Sequence, residues 1–364
     1  MSTMRAAVLH DVGDLRVEEV PRPTPSTGEV LIRVGVCGVC GSDATEFGRG
    51  RVLARPPVIL GHEFSGTVEE VGPGVSGLTP GTPVVCGAGV SCGTCRPCRT
   101  GRTNLCRSYL TLGFGLDGGL AEFVVAPTSV VFDVGSTALS ADTLGLAQPM
   151  AIAVHAVRRS GLRAGQDAVV VGIGGIGAFI AHAAAATGAR VLVVDTTPAR
   201  LELALALGAA EAMVAGSARL ADVLAERGFD PEVFFEVSGS ATGLASILDA
   251  ATPGSTIVPV GIQRGEPALP LGSWTLREYT IVGTVAHVYG TDIPEAVRLL
   301  AAREDWSDVA ATVLPLDDLV DGALRPLLEG GRTQIKTLID PWSSVRRPAE
   351  HGPATDAAAR SAMD

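Results

Sequence analysis

Four of the chain's seven cysteines crowd into one stretch, Cys92-x2-Cys95-x2-Cys98-x7-Cys106. Thiolates at this spacing, with Gly93 and Pro97 making the tight turns between them, close a tetrahedral shell around zinc. A closed shell leaves no position for substrate, so this ion is expected to be structural. Iron–sulfur clusters also use x2 spacing, but nothing else in the chain points to electron transfer. A second set combines Cys40-Gly41-Ser42-Asp43 with Gly61-His62-Glu63. One thiolate, one imidazole and one carboxylate suit an open zinc site. Ser42 would lie within reach of a substrate alcohol and relay its proton. Asp43 would orient the His62 ring from behind. Alone, a cysteine and a distant His-Glu pair are more often structural; the company of the other motifs raises the catalytic reading.

Gly172-x-Gly174-x-x-Gly177 follows an apolar run, and Asp195 stands at the end of the next one. These are the parts of a dinucleotide-binding βαβ unit. Gly172 permits the turn, Gly174 lets the backbone approach the pyrophosphate at the helix N-terminus, and Gly177 allows close helix–strand packing. Asp195 would accept hydrogen bonds from the adenosine ribose and repel a 2′-phosphate, which favours NAD over NADP.

The elements that must hold these groups fall into two textures. Residues 1–150 are punctuated by Gly and Pro, with short β-rich runs at 29–36, 65–71, 83–85 and 121–126. From residue 151 buried strands (168–171, 190–194, 233–237, 256–260 and 281–284) alternate with helices (175–187, 198–208 and 242–251). Such alternation implies an α/β domain with a doubly wound parallel sheet. A helix at 295–302 and a strand at 333–339 follow, and the polar, Pro- and Ala-rich residues 341–364 are expected to form a disordered tail.

At 364 residues, with 46% hydrophobic and 18% charged side chains, the chain has material for two cores. A balance of 28 basic against 39 acidic residues leaves a net charge of −11, which repels nucleic-acid backbones. Residues 168–189 carry no Asp, Glu, Lys or Arg, but Gly172, Gly174, Gly175 and Gly177 interrupt them, so a buried strand–turn–helix is expected rather than a membrane span. The start of the chain lacks a secretory pattern and the cysteines crowd as metal ligands do, so a cytoplasmic protein is expected.

Together these motifs resemble the zinc-containing medium-chain dehydrogenase/reductase family. The matching segments are GVCGSD (38–43), GHEFSGTVEEVG (61–72), the four-cysteine lobe (about 86–110), VVGIGGIG (170–177) and LELALALGA (201–209). LAQPMAIAVHAVRRSGL (146–162) is most similar to the branch of sorbitol and (R,R)-2,3-butanediol dehydrogenases. The resemblance covers roughly residues 5–340. It implies a GroES-like catalytic domain built from residues 1–150 and 289–340, a Rossmann domain at 151–288, and an active site in the cleft between them. It further implies a homodimer or homotetramer, NAD(H), and two zinc ions per subunit. One zinc would be held by Cys40, His62 and Glu63, and the other by Cys92, Cys95, Cys98 and Cys106. Gly172, Gly174, Gly175, Ile176, Gly177, Asp195 and Arg200 would meet the cofactor. Lys336, the only lysine in the chain, would sit on its pyrophosphate. Two departures stand out. Gln148-Pro149 replaces the branch's Glu-Pro, whose glutamate binds zinc or sits beside it, and Thr45 replaces a histidine that often ends a proton relay. His155 and His287 are further candidates to line the cleft.

The implied activity is NAD(H)-dependent interconversion of a secondary alcohol (diol, polyol or cyclitol) and a ketone. A same-fold reductase of an activated C=C or C=N bond without catalytic zinc is one alternative, and a non-catalytic NAD(H)-binding sensor is another.

Overall fold

The computed structural model describes residues 2–50, 52–135, 137–263, 265–331 and 334–352. The chain divides into two compact units, one formed by Met1–Gln148 with Val288–Asp364 and the other by Pro149–His287.

The first unit is organised around the strand Glu29–Val39, whose run of Val30, Leu31, Ile32, Val34 and Val36 is fully buried. It pairs antiparallel with Glu63–Val71, Phe123–Pro127 and Thr337–Asp340. Thr337–Asp340 in turn runs parallel to Thr312–Pro315. Near-continuous burial means that both faces are covered, unlike the alternation of a half-wet sheet. The strand packs into a core with Leu60, Phe64, Leu112, Leu120, Leu314 and Ile339. The hairpin Thr3–Asp11/Asp14–Pro21 makes a smaller sheet with Val58–Ile59.

The second unit is a six-stranded parallel sheet in the order Glu211–Val214, Arg190–Asp195, Asp167–Val171, Pro231–Glu236, Thr256–Pro259, Thr280–Ile281. Helices Gly175–Ala186, Pro198–Ala206 and Ala241–Ala250 alternate with the strands. The sheet's first three strands in the chain step outward to one side and the fourth, Pro231–Glu236, returns to the other side of the first, Asp167–Val171, which makes the switch point where such sheets bind nucleotides. Its core joins Val169, Leu192, Phe234, Ile247 and Ile257.

Several elements depart from the sequence reading. The helices Gly41–Arg49 and Ala147–Ser160 and the strand Glu211–Val214 are additional to the elements expected from the sequence. The helix expected after Pro294 already starts at Tyr289, because the Asp292 carboxylate accepts from Val288 N at 2.6 Å and steadies its first turn. The edge strand is only Thr280–Ile281, and both residues are exposed. Most clearly, the expected tail is not disordered over residues 341–352. Trp342 Nε1 donates to Val34 O at 2.7 Å, its ring takes Arg33 on one face, and Arg347–Pro348 pairs with Thr312–Val313. A few anchoring side chains outweigh the polar composition of the segment. The rest of the expected tail (353–364), and Thr333 at the start of the expected last strand, lie outside the described residues. Among the described residues no helix is long and apolar enough to cross a membrane.

Candidate active site

Strand register builds the first site. Gly38 lies opposite both Glu63 and Leu338. A Cβ there would come 2.6 Å from Glu63 Oε2, so glycine leaves that carboxylate its place over the strand. Gly61, at φ +97°, turns the chain into His62, and a Cβ on it would strike Cys37 Sγ and Leu120 at 2.7 Å. Cys40 is the N-cap of the helix Gly41–Arg49. Its N–H donates to Asp43 Oδ2 at 2.8 Å, while Asp43 Oδ1 stands 3.4 Å from His62 Nδ1. One buried carboxylate thus ties the cysteine's backbone to the histidine's ring. With Nδ1 facing a carboxylate, Nε2 is the ring nitrogen left for a ligand. It lies 3.5 Å from Ser42 Oγ.

The ligand atoms of Cys40, His62 and Glu63 all lie within 4.8 Å of one another. Zinc bonds of about 2.0–2.3 Å put tetrahedral ligands roughly 3.3–3.8 Å apart, so small side-chain adjustments close the set on an ion. Gln148 is buried and its Oε1 has no hydrogen-bond partner. A buried amide oxygen without a donor is costly unless something satisfies it. The residues therefore fit a metal.

Burial on its own would lower the pKa of His62, but the charge and hydrogen bond of Asp43, with Cys40, outweigh it and raise the value well above that of an ordinary imidazole. Metal must displace that proton, so binding at this site weakens as pH falls. Lys336 forms an ion pair with Glu63 and donates to Val39 O at 3.4 Å. The side chain is 4% exposed and its ammonium is turned onto Glu63. Phe114 was not anticipated. Its ring lies 4.9 Å from that of His62 and walls it in. Both contacts are long-range and leave no local signal.

The four lobe cysteines also lie mutually within 4.8 Å. Cys95 Sγ is 3.4 Å from Cys98 Sγ and 3.9 Å from Cys106 Sγ. Backbone amides of Cys95, Cys92 and Ser108 donate to Cys92 Sγ at 3.4 Å and to Cys106 Sγ at 3.2 and 3.3 Å. Such donors favour thiolates, and hydrogen bonds from Thr94 lower the Cys92 thiol to about 6. Gly93 takes φ +69° between the first two ligands. The remaining thiols are different. Cys37 is raised well above the ordinary range, mainly by burial, and burial pushes Cys86 up to about 12.

In the second unit Gly172 has φ +97°, and a Cβ there would meet Ser238 N at 2.6 Å. A Cβ on Gly177 would lie 1.9 Å from Gly172 O, whereas nothing lies within 4 Å of the Cβ position at Gly174. The turn is packed from behind and open at Gly174, at the N-cap of Gly175–Ala186, where Gly175 and Ile176 form the first turn. Asp195 accepts from Ile173 N at 2.7 Å and Thr197 N at 2.9 Å, and Arg200 lies 3.7 Å away. Each carboxylate oxygen has a second lone pair for a ribose hydroxyl. Sequence reasoning missed Glu236, which is fully buried at the end of its strand. It accepts from Ser238 N at 3.0 Å, Gly239 N at 3.2 Å and Gln263 Nε2 at 2.5 Å, and so fixes the loop behind Gly172. His155 and His287 are buried, and His155 Nδ1 lies 3.3 Å from Arg158. Thr45 turns its hydroxyl onto Gly41 O at 2.9 Å.

Comparison with known proteins agrees with this geometry. The alcohol dehydrogenase GroES-like domain matches residues 26–136, and the zinc-binding dehydrogenase family matches residues 175–302. Sorbitol dehydrogenase of Bacillus subtilis is 32% identical over 82% of this chain and 86% of its own. The solved 2R,3R-butanediol dehydrogenase of Bacillus subtilis superposes with a TM-score of 0.85 at 30% identity, covering 93% of this chain and 99% of that one. A zinc-binding dehydrogenase of Sinorhizobium meliloti bound to NADP gives 0.87 at 28% identity, covering 94% and 100%. With a thiol–imidazole–carboxylate set in one unit, a nucleotide turn in the other and these relatives along most of its length, the chain belongs to the zinc-containing medium-chain dehydrogenase/reductase family, near its sorbitol and butanediol dehydrogenase branch.

Proposed function

We propose that this alcohol dehydrogenase oxidises a secondary alcohol of a diol, polyol or cyclitol with NAD, at a zinc ion held by Cys40, His62 and Glu63. The observation that carries the reading is the convergence of those three ligand atoms within 4.8 Å, beside Ser42. When bound, zinc supplies Lewis acidity at the hydroxyl oxygen and NAD supplies the hydride acceptor. Ser42 Oγ takes the hydroxyl proton and passes it toward solvent, since Thr45 is turned back onto Gly41 O. Asp43 holds the His62 ring with Nε2 forward, and Phe114 keeps the ring from tilting. Lys336 pairs with Glu63 in its buried position. The lobe cysteines would hold the second, structural zinc.

Asp195 supports NAD over NADP, because a fixed carboxylate receives ribose hydroxyls and repels a phosphate. The exposed edge strand Thr280–Ile281, together with Ile262, Leu271 and Leu276 of the same unit, which are 93%, 65% and 87% exposed, supports assembly with a second copy as a dimer or tetramer. Seven cysteines with no disulfide among them suit a reducing compartment, and we place the protein in the cytoplasm.

The test is a panel of secondary alcohols, vicinal diols and cyclitols, read by NADH absorbance and paired with metal analysis. Turnover of at least one alcohol that vanishes with the Cys40-site metal is the expected result. Full turnover after that metal is removed, or reduction of C=C bonds with no alcohol oxidised, would return the zinc-independent reductase reading.

A further inference from the structure

We infer that Asp142 is a positioning residue: clasped by the C-terminal strap 341–352, it holds the segment leading into Gln148 in place and so sets how firmly the metal at Cys40, His62 and Glu63 is retained. The inference rests on the proposed metal site.

Asp142 is 2% exposed. A buried carboxylate needs strong partners, and all of those shown for Asp142 come from the strap. Arg347 reaches it with two nitrogens at 2.6 and 2.9 Å, and Glu350 N donates to it at 2.7 Å. Its neighbours are held the same way. Ser140 Oγ donates to Glu350 O at 2.5 Å and Ser140 N to Gly352 O at 2.9 Å. Thr143 Oγ1 lies 3.2 Å from His351 Nδ1 and accepts from Gly352 N at 3.3 Å. The strap is fixed in turn by Ala349 N to Ala311 O at 2.9 Å and by His351 Nε2, 2.7 Å from Ala310 O.

The other side of this segment rests on the strands that carry the site. Ala141 O accepts from Ser65 Oγ at 2.7 Å, two residues beyond Glu63. Gly145 packs so closely that a Cβ on it would lie 2.7 Å from Val36 Cγ2 and 3.3 Å from Leu338 Cδ2. Gln148 follows three residues later, buried, with Oε1 lacking a partner. A glutamate at this position would be drawn to a divalent cation by charge. An amide has only its carbonyl dipole to draw it, so on the proposed metal site the reach of Gln148 toward the ion depends on how the backbone is held. The strap supplies that hold, through Asp142.

The experiment follows zinc release from the full-length protein to a colorimetric chelator, with wild type, Arg347→Ala, Gln148→Ala and the double variant compared. Partners of a metal ligand typically change metal affinity by about 10–100-fold, and Arg347 stands further back, so the lower end applies. Arg347→Ala should therefore speed the faster, Cys40-site release about tenfold and leave the slower, lobe release unchanged. The double variant should release no faster than Gln148→Ala alone, since both act through one contact. Multiplied effects in the double variant, or unchanged release in Arg347→Ala, would overturn the inference. Hydrogen exchange of the metal-free protein gives a readout without zinc. Faster exchange confined to 141–148 and 341–352 supports the clasp, and a uniform rise across the first unit overturns it. If wild type holds only the lobe zinc, the metal-site reading fails, while the exchange result still judges the clasp. His351→Ala repeats both arms should Arg347→Ala not fold.

Discussion

Replacing Lys336 by Met should destabilise the metal-free protein far more than the zinc-loaded one. Lys336 is 4% exposed and Glu63 is fully buried, so the pair is shielded from water and from salt. Removing one partner of such a pair leaves an uncompensated charge and costs about 3–5 kcal/mol. For a unit of this size that is a fall of roughly 6–20 °C in melting temperature. With zinc bound, Glu63 faces a divalent cation instead, and most of the loss should be recovered. The variant should therefore show a much larger gap between its zinc-loaded and metal-free melting temperatures than wild type. Its pH dependence has a definite sign. Burial lowers the Lys336 pKa, but Glu63 and Cys40 more than offset this and raise it above 10.5. The pair's contribution is then fully present below the unfolded value and is lost as pH rises through the folded one. Metal-free wild type should lose stability above about pH 10.5, and the Met variant should lack that step. Scanning calorimetry at pH 8 and pH 11, with and without zinc, reads all four cases. A metal-free variant melting within 2 °C of wild type at pH 8, a margin set at about half the shift per kcal/mol, would refute the reasoning.

Asp195→Ser should narrow the preference for NAD over NADP by tenfold or more, about 1–3 kcal/mol of lost ribose bonding and relieved repulsion, measured as the ratio of kcat/KM values. Equal efficiency with both cofactors in wild type would sink the assignment. Cys98→Ser should lose one zinc and lower solubility or melting temperature, because the lobe has little apolar content of its own and the metal must fold it; unchanged zinc content would contradict the four-thiolate shell. Gln148→Glu should hold the Cys40-site zinc more tightly in chelator competition, by replacing a neutral amide with a charged ligand. Occupancy of that site should fall with pH in wild type, since Asp43 and Cys40 favour the protonated His62 that zinc must displace, and isothermal titration between pH 5.5 and 8, across the histidine range, would follow it.

What could be read from the sequence was local. The lobe ligands sit within one turn-rich stretch, and the glycine turn, its helix and Asp195 are successive parts of one βαβ unit, so spacing alone carries them. Lys336 and Phe114 could not be read that way. Lys336 meets Glu63 because Thr337 pairs with Val39 while Gly38 pairs with Glu63, a register that only the folded sheet specifies. The helix after Cys40 starts from a capping exchange between Cys40 and Asp43, and its buried apolar side is only Ala44 and Phe47, too short to mark a helix in the sequence. The strap was misjudged because composition averages over a segment, whereas Trp342 and Arg347 act singly through buried partners.

The burial of the chain's single lysine has a practical side. All other side-chain cations are Arg or His, so the side chains of the folded surface offer amine-directed reagents almost nothing. A lysine-specific protease, likewise, has one bond to cut in the whole chain, and that bond lies beside Glu63's partner. Cleavage after Lys336 would therefore act as a clock for the opening of this one region, against a background with no other cuts.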